Sequence, residues 1–259
     1  MPFARILRSS ALMGGAQVVT LGLGFVRLKV IALLIGPSGV GLVGVLTAFN
    51  GNITALAGWG IGTSGVRVIA GSSDEEKARK VAAVRRFGAL LSWLGLLAVI
   101  LLFWPIGWAT FQNGDYGMEL FIAGLAVPLA IATSMWSALL QAHGQLKTLA
   151  KTQVISAVAG LLVGLPLIWY FELKGVAASI LLAAVAPAFV TWRAARRHCP
   201  PSVIPADPED VKPLIRLGGA LMIVGLSSQI SAYVIRLLII RHEGLEAAGY
   251  YQAAFAVAG

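Results

Sequence analysis

The amino-acid sequence predicts an all-α polytopic membrane protein with seven complete transmembrane helices and the start of an eighth. Composition is the first ground: 58% of the 259 residues are hydrophobic and 12% charged, where a soluble domain is about half apolar and about a quarter charged. Apolar runs of about twenty residues recur along the chain, each long enough to cross roughly 30 Å of hydrocarbon. Basic residues gather in alternate connections between those runs, the asymmetry that orients helices in a bilayer.

The first run covers about Ala11 to Ile35. Arg5 and Arg8 precede it as in a signal peptide, but the run is too long for one and carries Arg27 and Lys29, so it reads as a retained helix. The second, Val40 to Ala70, is rich in glycine, and the third, Phe87 to Trp108, follows a charged lead-in from Asp74 to Lys80. Leu120 to Ala142 forms the fourth, Thr152 to Tyr170 the fifth and Gly175 to Thr191 the sixth. Leu217 to Ile240 is the seventh, and an eighth opens near Ala247. Long continuous runs, without the ten-residue alternation of a membrane barrel, select helices over strands.

A net charge of +9 raises the question of nucleic acid, and the placement of the charges answers it. Fourteen of the 20 cations fall at the N-terminus and in the connections around 71–86, 143–151 and 192–216. The other connections, 36–39, 111–119, 171–174 and 241–246, hold only Lys174 and Arg241, which places the N-terminus in the cytoplasm. Trp104, Trp108, Trp169 and Tyr170 then form an outer interfacial belt. The basic balance is thus a matter of orientation, with membrane lipids and no nucleic acid as partner. Cys199, the single cysteine, has no intrachain disulfide partner.

Five prolines and a charge cluster between Ala194 and Pro213 mark the strongest break in composition. It separates a six-helix lobe, residues 1–199, from a linker, 200–213, and the start of a second lobe, 214–259. A repeat supports the division: Gly14-Gly15-Ala16 recurs as Gly218-Gly219-Ala220, and the Ile31, Leu33, Leu34, Ile35 pattern recurs 204 positions later from Ile235. After a short insertion, Gly44 to Phe49 is echoed by Gly249 to Phe255. Two lobes related by an axis along the membrane normal, with a cavity between them, are expected, the second only partly contained in the chain.

All eleven carboxylates fall in connections or at the ends of runs, whereas Arg27 and Lys29 lie inside the first helix, Arg67 late in the second and Arg236 inside the seventh. A cation in mid-bilayer costs roughly 2.5–3.5 kcal/mol unless it meets water, a partner or a cavity, so a cation-only interior points to an anionic guest. Arg27 and Arg236 are the foremost candidates, because a guanidinium fork suits phosphate oxygens. Arg67 and Lys29 read more readily as hydrogen-bonding helix carbonyls or snorkelling. Thr47, Asn50 and Thr54 share one face of the second helix. That face either lines an aqueous cavity or supplies interhelical hydrogen bonds, the second being the commoner use. Trp136 and Tyr233 are candidates to stack on sugar rings, though packing is the commoner role. The three histidines lack metal-ligand spacing, and no phosphate loop or catalytic triad occurs, so neither a cofactor nor catalysis is expected.

The strings GPSGVGL at 36–42 and GIGTSGVRVIA at 60–70, followed by a basic loop, resemble Wzx-type polysaccharide flippases of the multidrug/oligosaccharidyl-lipid/polysaccharide exporter (MOP) superfamily. The resemblance implies a transporter of two six-helix lobes in the bacterial inner membrane. Its cargo would be an undecaprenyl-diphosphate-linked oligosaccharide, such as an O-antigen unit of lipopolysaccharide, moved from the cytoplasmic to the periplasmic leaflet. It also implies diphosphate-binding roles for Arg27 and Arg236, with Arg67 carried over from the SGVR string. Polysaccharide polymerase and chain-length regulator proteins are the further partners it brings into view. A cation-coupled drug exporter of the same superfamily would need buried carboxylates. A membrane glycosyltransferase or polymerase would need longer catalytic loops.

Overall fold

A computed structural model describes residues 2–111, 116–199 and 207–258, and among them every regular element is helical. The elements are α1 (Pro2–Ala57), α2 (Ile61–Ala70), α3 (Asp74–Phe111), α4 (Gly117–Gly124), α5 (Ala126–Ala142), α6 (Leu146–His198) and α7 (Lys212–Ala258), with a short 3-10 turn at Pro208–Val211. Five stretches are long and apolar enough to cross a membrane: Ala11–Ala70, Glu76–Phe111, Gly117–Ala142, Leu146–His198 and Glu209–Ala256.

Three of the long helices are each divided into two legs by one non-helical residue. In α1 it is Gly36 (φ 68°, ψ −173°), and in α7 it is Gly244 (φ 86°, ψ −179°). Both adopt a backbone that glycine alone visits without a Cβ clash, and Pro37, needing no N–H partner, opens the next leg of α1. In α6 the divider is Glu172 (φ 51°). Gly175 stands where a Cβ would overlap the Leu167 carbonyl, so the turn there needs a bare backbone.

Two expected runs are interrupted. The second breaks where Trp59 (φ 46°) and Gly60 (φ 58°) separate α1 from α2, and the fourth is split at Leu125 into α4 and α5. The third run is continuous with its charged lead-in, which opens the helix at Asp74 as its charges suggest.

Two sets of contacts define the ends of the bundle. At one end Arg241 donates to the Ala109 carbonyl, and the Thr110 and Tyr233 hydroxyls share a hydrogen bond of 2.7 Å. At the other, Trp59 Nε1 donates to the Ile215 carbonyl at 2.9 Å, Arg79 pairs with buried Asp210 at 2.9 Å, and Arg85 donates to the Cys199 carbonyl while lying over the Trp136 ring. Cys199 and Asp210 are thus both held to the first part of α3. Cys199 is buried against the Leu139 carbonyl, and that burial pushes its thiol up, with the Arg85 charge opposing.

The core lies on the second leg of α1, where Leu42, Leu46, Phe49 and Ile53 are buried in one cluster with Val99, Leu120, Val127 and Ile131. Outward faces are apolar too, with Val18, Leu33, Trp93, Trp104, Trp108, Trp169 and Tyr170 exposed. An exposed apolar face suits acyl chains as solvent, and among such helices association rests on close packing and hydrogen bonds rather than on escape from water.

The second leg of α1 runs along α7. Gly51 faces Gln229 and Gly60 faces Leu221, an antiparallel course against the first leg of α7, whereas Gly41 and Gly44 face Gly249 and Gln252, a parallel course against its second leg. At the parallel crossing the contact is reciprocal. A Cβ on Gly41 would overlap the Leu245 carbonyl, and one on Gly249 would overlap the Pro37 carbonyl. Gly41 and Gly249 stand five residues after Gly36 and Gly244, which divide their helices in the same conformation. These two turns are 208 positions apart. The repeat expected at 204 is thus shifted by about one helical turn where the second legs begin.

Candidate functional site

Arg27 stands nine residues before Gly36, and Arg236 eight before Gly244, so each arginine lies at a similar distance ahead of the turn that divides its helix. Their surroundings differ. Arg27 is half-buried and turned toward α6, its Nη2 lying 3.6 Å from the place a Cβ on Gly164 would occupy, with Ser179 of the second leg at the same spot. Its Nε is buried and has no hydrogen-bond partner. Gly164 makes the room: an arginine fork passes where a larger residue would stand.

Arg236 is 6% exposed, and each of its three side-chain nitrogens donates a hydrogen bond. Its Nε and Nη2 donate to Gln252 Oε1 at 3.0 and 2.7 Å, and its Nη1 donates to the Ala232 carbonyl at 2.8 Å. The Tyr251 and Phe255 rings lie 5.6 and 5.2 Å from the guanidinium carbon. This arginine joins the two legs of α7 beside Gly44 of α1. The structure does not bring Arg27 and Arg236 to one cavity: the first faces α6, the second Gln252.

Lys29 and Arg67 are exposed. Asn50 donates from Nδ2 to the Ala123 carbonyl at 2.9 Å, tying α1 to the end of α4, and its Oδ1 is buried without a partner. Thr47 is exposed, and Thr54 lines a cavity of about 150 Å³ between α1, α2, α5 and α7, together with Gly58, Ser134 and Gly225. The polar face of the second helix therefore divides its work between packing and cavity. Trp136 lies under Arg85, and Tyr233 is held by Thr110.

A second cavity, of about 390 Å³, lies between α1, α5 and the two legs of α6, its surface mainly apolar with several polar side chains set into it. Thr20, Ser137, Gln153, Ser156 and Thr191 line it. None of these residues is ionisable, so a reading led by charge passes them over. Their signal in the sequence is spacing: Gln153, Ser156, Gly160 and Gly164 follow at intervals of three and four, one stripe of small and polar residues along α6.

Among the described residues every carboxylate lies at a helix end or turn, and no cluster of three or more histidine, cysteine or acidic residues is placed to hold a metal. The site offers positive charge, hydrogen-bonding groups and room, which is the equipment of a binding path through a membrane.

Comparison with solved structures gives the same class of architecture. The fold matches an inward-facing multidrug resistance MATE family transporter of the MOP superfamily with a TM-score of 0.72 at 17% identity, over 91% of this chain and 56% of that one. It matches the MATE multidrug transporter DinF-BH with a TM-score of 0.73 at 18% identity, over 96% and 59%. A MOP superfamily transporter from Pyrococcus furiosus matches with a TM-score of 0.68 at 15% identity, over 97% and 63%. The chain thus has the MOP transporter fold and spans less than two thirds of the length of these structures. The family described as polysaccharide biosynthesis protein matches residues 6–259, and this chain belongs to it. No curated protein matches the sequence.

Proposed function

We propose that the protein carries a polyprenyl-diphosphate-linked oligosaccharide from the cytoplasmic to the periplasmic leaflet of a bacterial inner membrane by alternating access. The observation that carries this reading is Arg27. It is a half-buried guanidinium inside a membrane-spanning helix, with Nε unpartnered and no carboxylate beside it among the described residues. Such a group is held at a cost of roughly 2.5–3.5 kcal/mol and offers a diphosphate two parallel charge-assisted hydrogen bonds. Membership of the polysaccharide biosynthesis family and the likeness to a transporter fold support this reading, in which two lobes rock about a path between them.

In this reading the chain crosses the bilayer seven times and begins an eighth crossing, with its N-terminus in the cytoplasm. Residues 1–199 form the first lobe, 200–213 the linker and 214–259 the opening of the second. Exposed Arg67 on α2 offers a passing contact for the headgroup and Arg236 a second cation during transport once Gln252 releases it, neither holding the diphosphate at rest, and Lys29 snorkels. Asn50 holds the wall of the path. A cytoplasm-negative potential assists outward movement of the anion by roughly 2.3 kcal/mol per charge per 100 mV. Drug export by cation exchange is the weaker reading, because the described carboxylates all lie at ends and turns.

The test is flipping of a fluorescent undecaprenyl-diphosphate-linked oligosaccharide by the protein in proteoliposomes. Arg27→Ala is expected to slow it about 10- to 100-fold, the worth of a charge-assisted hydrogen bond, with Arg27→Lys intermediate. Flipping by Arg27→Ala at the unmodified rate contradicts the proposal.

A further inference from the structure

The second cavity stands apart from the arginine. Its lining is uncharged, and the protons of its threonines are already committed: Thr20 donates to the Ala16 carbonyl at 2.7 Å, Thr133 to Leu129 at 2.7 Å, Thr152 to Leu149 at 2.8 Å, and Thr191 to Pro187. Each hydroxyl so used keeps its oxygen lone pairs. Two further oxygens on lining residues, Gln153 Oε1 and Ser156 Oγ, are buried without any hydrogen-bond partner. An unsatisfied buried acceptor is costly, and a change of rotamer is the smallest motion that gives these two a partner inside the cavity. The cavity therefore offers acceptor oxygens beside the donor groups of Gln17, Ser137, Gln153 and Ser156, which suits hydroxyl groups that both donate and accept.

Size and charge narrow the class. About 390 Å³ is within the range of small-molecule pockets and far above the need of a bare metal ion. With no carboxylate on the lining and Arg27 seven residues beyond Thr20 on nearly the same face of α1, about 10 Å along the axis, a cation is disfavoured. Gln153 and Gly164 share a stripe of α6 in the same way, so the cavity and the Arg27 guanidinium lie along one seam between α1 and α6.

We infer that this cavity is a saccharide subsite, in which Gln153, Ser156 and the threonine oxygens accept hydrogen bonds from hydroxyl groups of a neutral sugar attached to the diphosphate. The inference rests on the proposed lipid-linked cargo and adds to it a place for the first sugar ring, about two helical turns from the phosphate anchor. Selection among carriers follows: the guanidinium reads the diphosphate that all such lipids share, and the cavity reads whether a sugar is attached.

The experiment measures binding of two probes to the protein in nanodiscs, undecaprenyl-diphosphate-N-acetylglucosamine and bare undecaprenyl diphosphate. The unmodified protein is expected to bind the glycosylated lipid more tightly. Gln153→Leu and Ser156→Ala should each weaken that binding about three- to tenfold, one or two hydrogen bonds' worth, and leave the bare lipid unchanged. Ser156→Ala removes a single oxygen and serves if Gln153→Leu fails to fold. Arg27→Ala should weaken both probes. Equal binding of the two probes by the unmodified protein, unchanged binding in both cavity variants, or an equal loss for both probes overturns the subsite. Failure of the unmodified protein to bind either probe overturns the diphosphate reading and the subsite with it.

Discussion

Arg27 and Arg236 are the same residue type at matching positions before their glycine turns, and their neighbours give them opposite energetics. Gln252 Oε1 takes two hydrogen bonds from Arg236, so removing that oxygen leaves a buried guanidinium with one carbonyl and two ring faces. Gln252→Leu should lower the protein's stability by about 1–3 kcal/mol, seen as a lower thermal midpoint in detergent. Arg27 has a buried Nε without a partner. Arg27→Leu should therefore keep or raise the midpoint while slowing transport about 10- to 100-fold, as expected of a group kept for its cargo rather than for the fold. That both arginines lie within long helices and that the described carboxylates lie at helix ends and turns was legible from the chain, since each follows from counting within an apolar run. The bond from Arg236 to Gln252 was not, because it crosses the Gly244 turn between residues 16 apart. Gln153 and Ser156 escaped for another reason: neutral polar residues on small-residue stripes serve packing as often as binding.

Helix pairs carry the next level of the account. At the Gly41–Gly249 crossing any side chain meets backbone, which cannot rotate away, so Gly249→Leu must part the second legs of α1 and α7. A loss of about 1–3 kcal/mol is expected, read as a lower thermal midpoint. The long apolar helices were visible in hydropathy, as were the connections around 36 and 244. The repeat was visible but its register was not: apolar residues exchange freely along a lipid-facing helix, whereas a positive φ and a backbone crossing hold the two turns to an offset of 208. At the opposite end, the Arg79–Asp210 pair and the Arg85 bond to Cys199 hold Asp210 and Cys199 to the first part of α3. Burial shields the Cys199 thiol and raises its pKa, so labelling by a maleimide at neutral pH should be slow. Asp210→Asn should speed it severalfold by loosening the clamp, and labelling already fast in the unmodified protein contradicts this arrangement.

Across the whole molecule, residues 79, 85, 199, 210 and 215 meet at one end, and 109, 110, 233 and 241 at the other. The first end carries most of the basic residues, which is why orientation could be argued before any coordinates. In a Cys199→Ser background, Lys147→Cys should label with an impermeant maleimide only from the cytoplasmic face and Lys174→Cys only from the periplasmic face. Same-side labelling would invert part of the topology. What charge counting does not supply is convergence. It suggested two arginines facing one cleft, whereas the second leg of α7 turns Arg236 toward its own lobe and leaves Arg27 on the seam with α6.

The most direct measurement of the central claim is dipolar dephasing between arginine guanidinium nitrogen and lipid phosphorus. The protein, labelled with 15N-arginine, is placed in bilayers of neutral, phosphorus-free lipid containing undecaprenyl diphosphate. Short-range dephasing is expected, retained in Arg236→Lys and Arg67→Lys and lost in Arg27→Lys. Dephasing that persists in Arg27→Lys, or that never arises in the unmodified protein, contradicts a diphosphate held by Arg27.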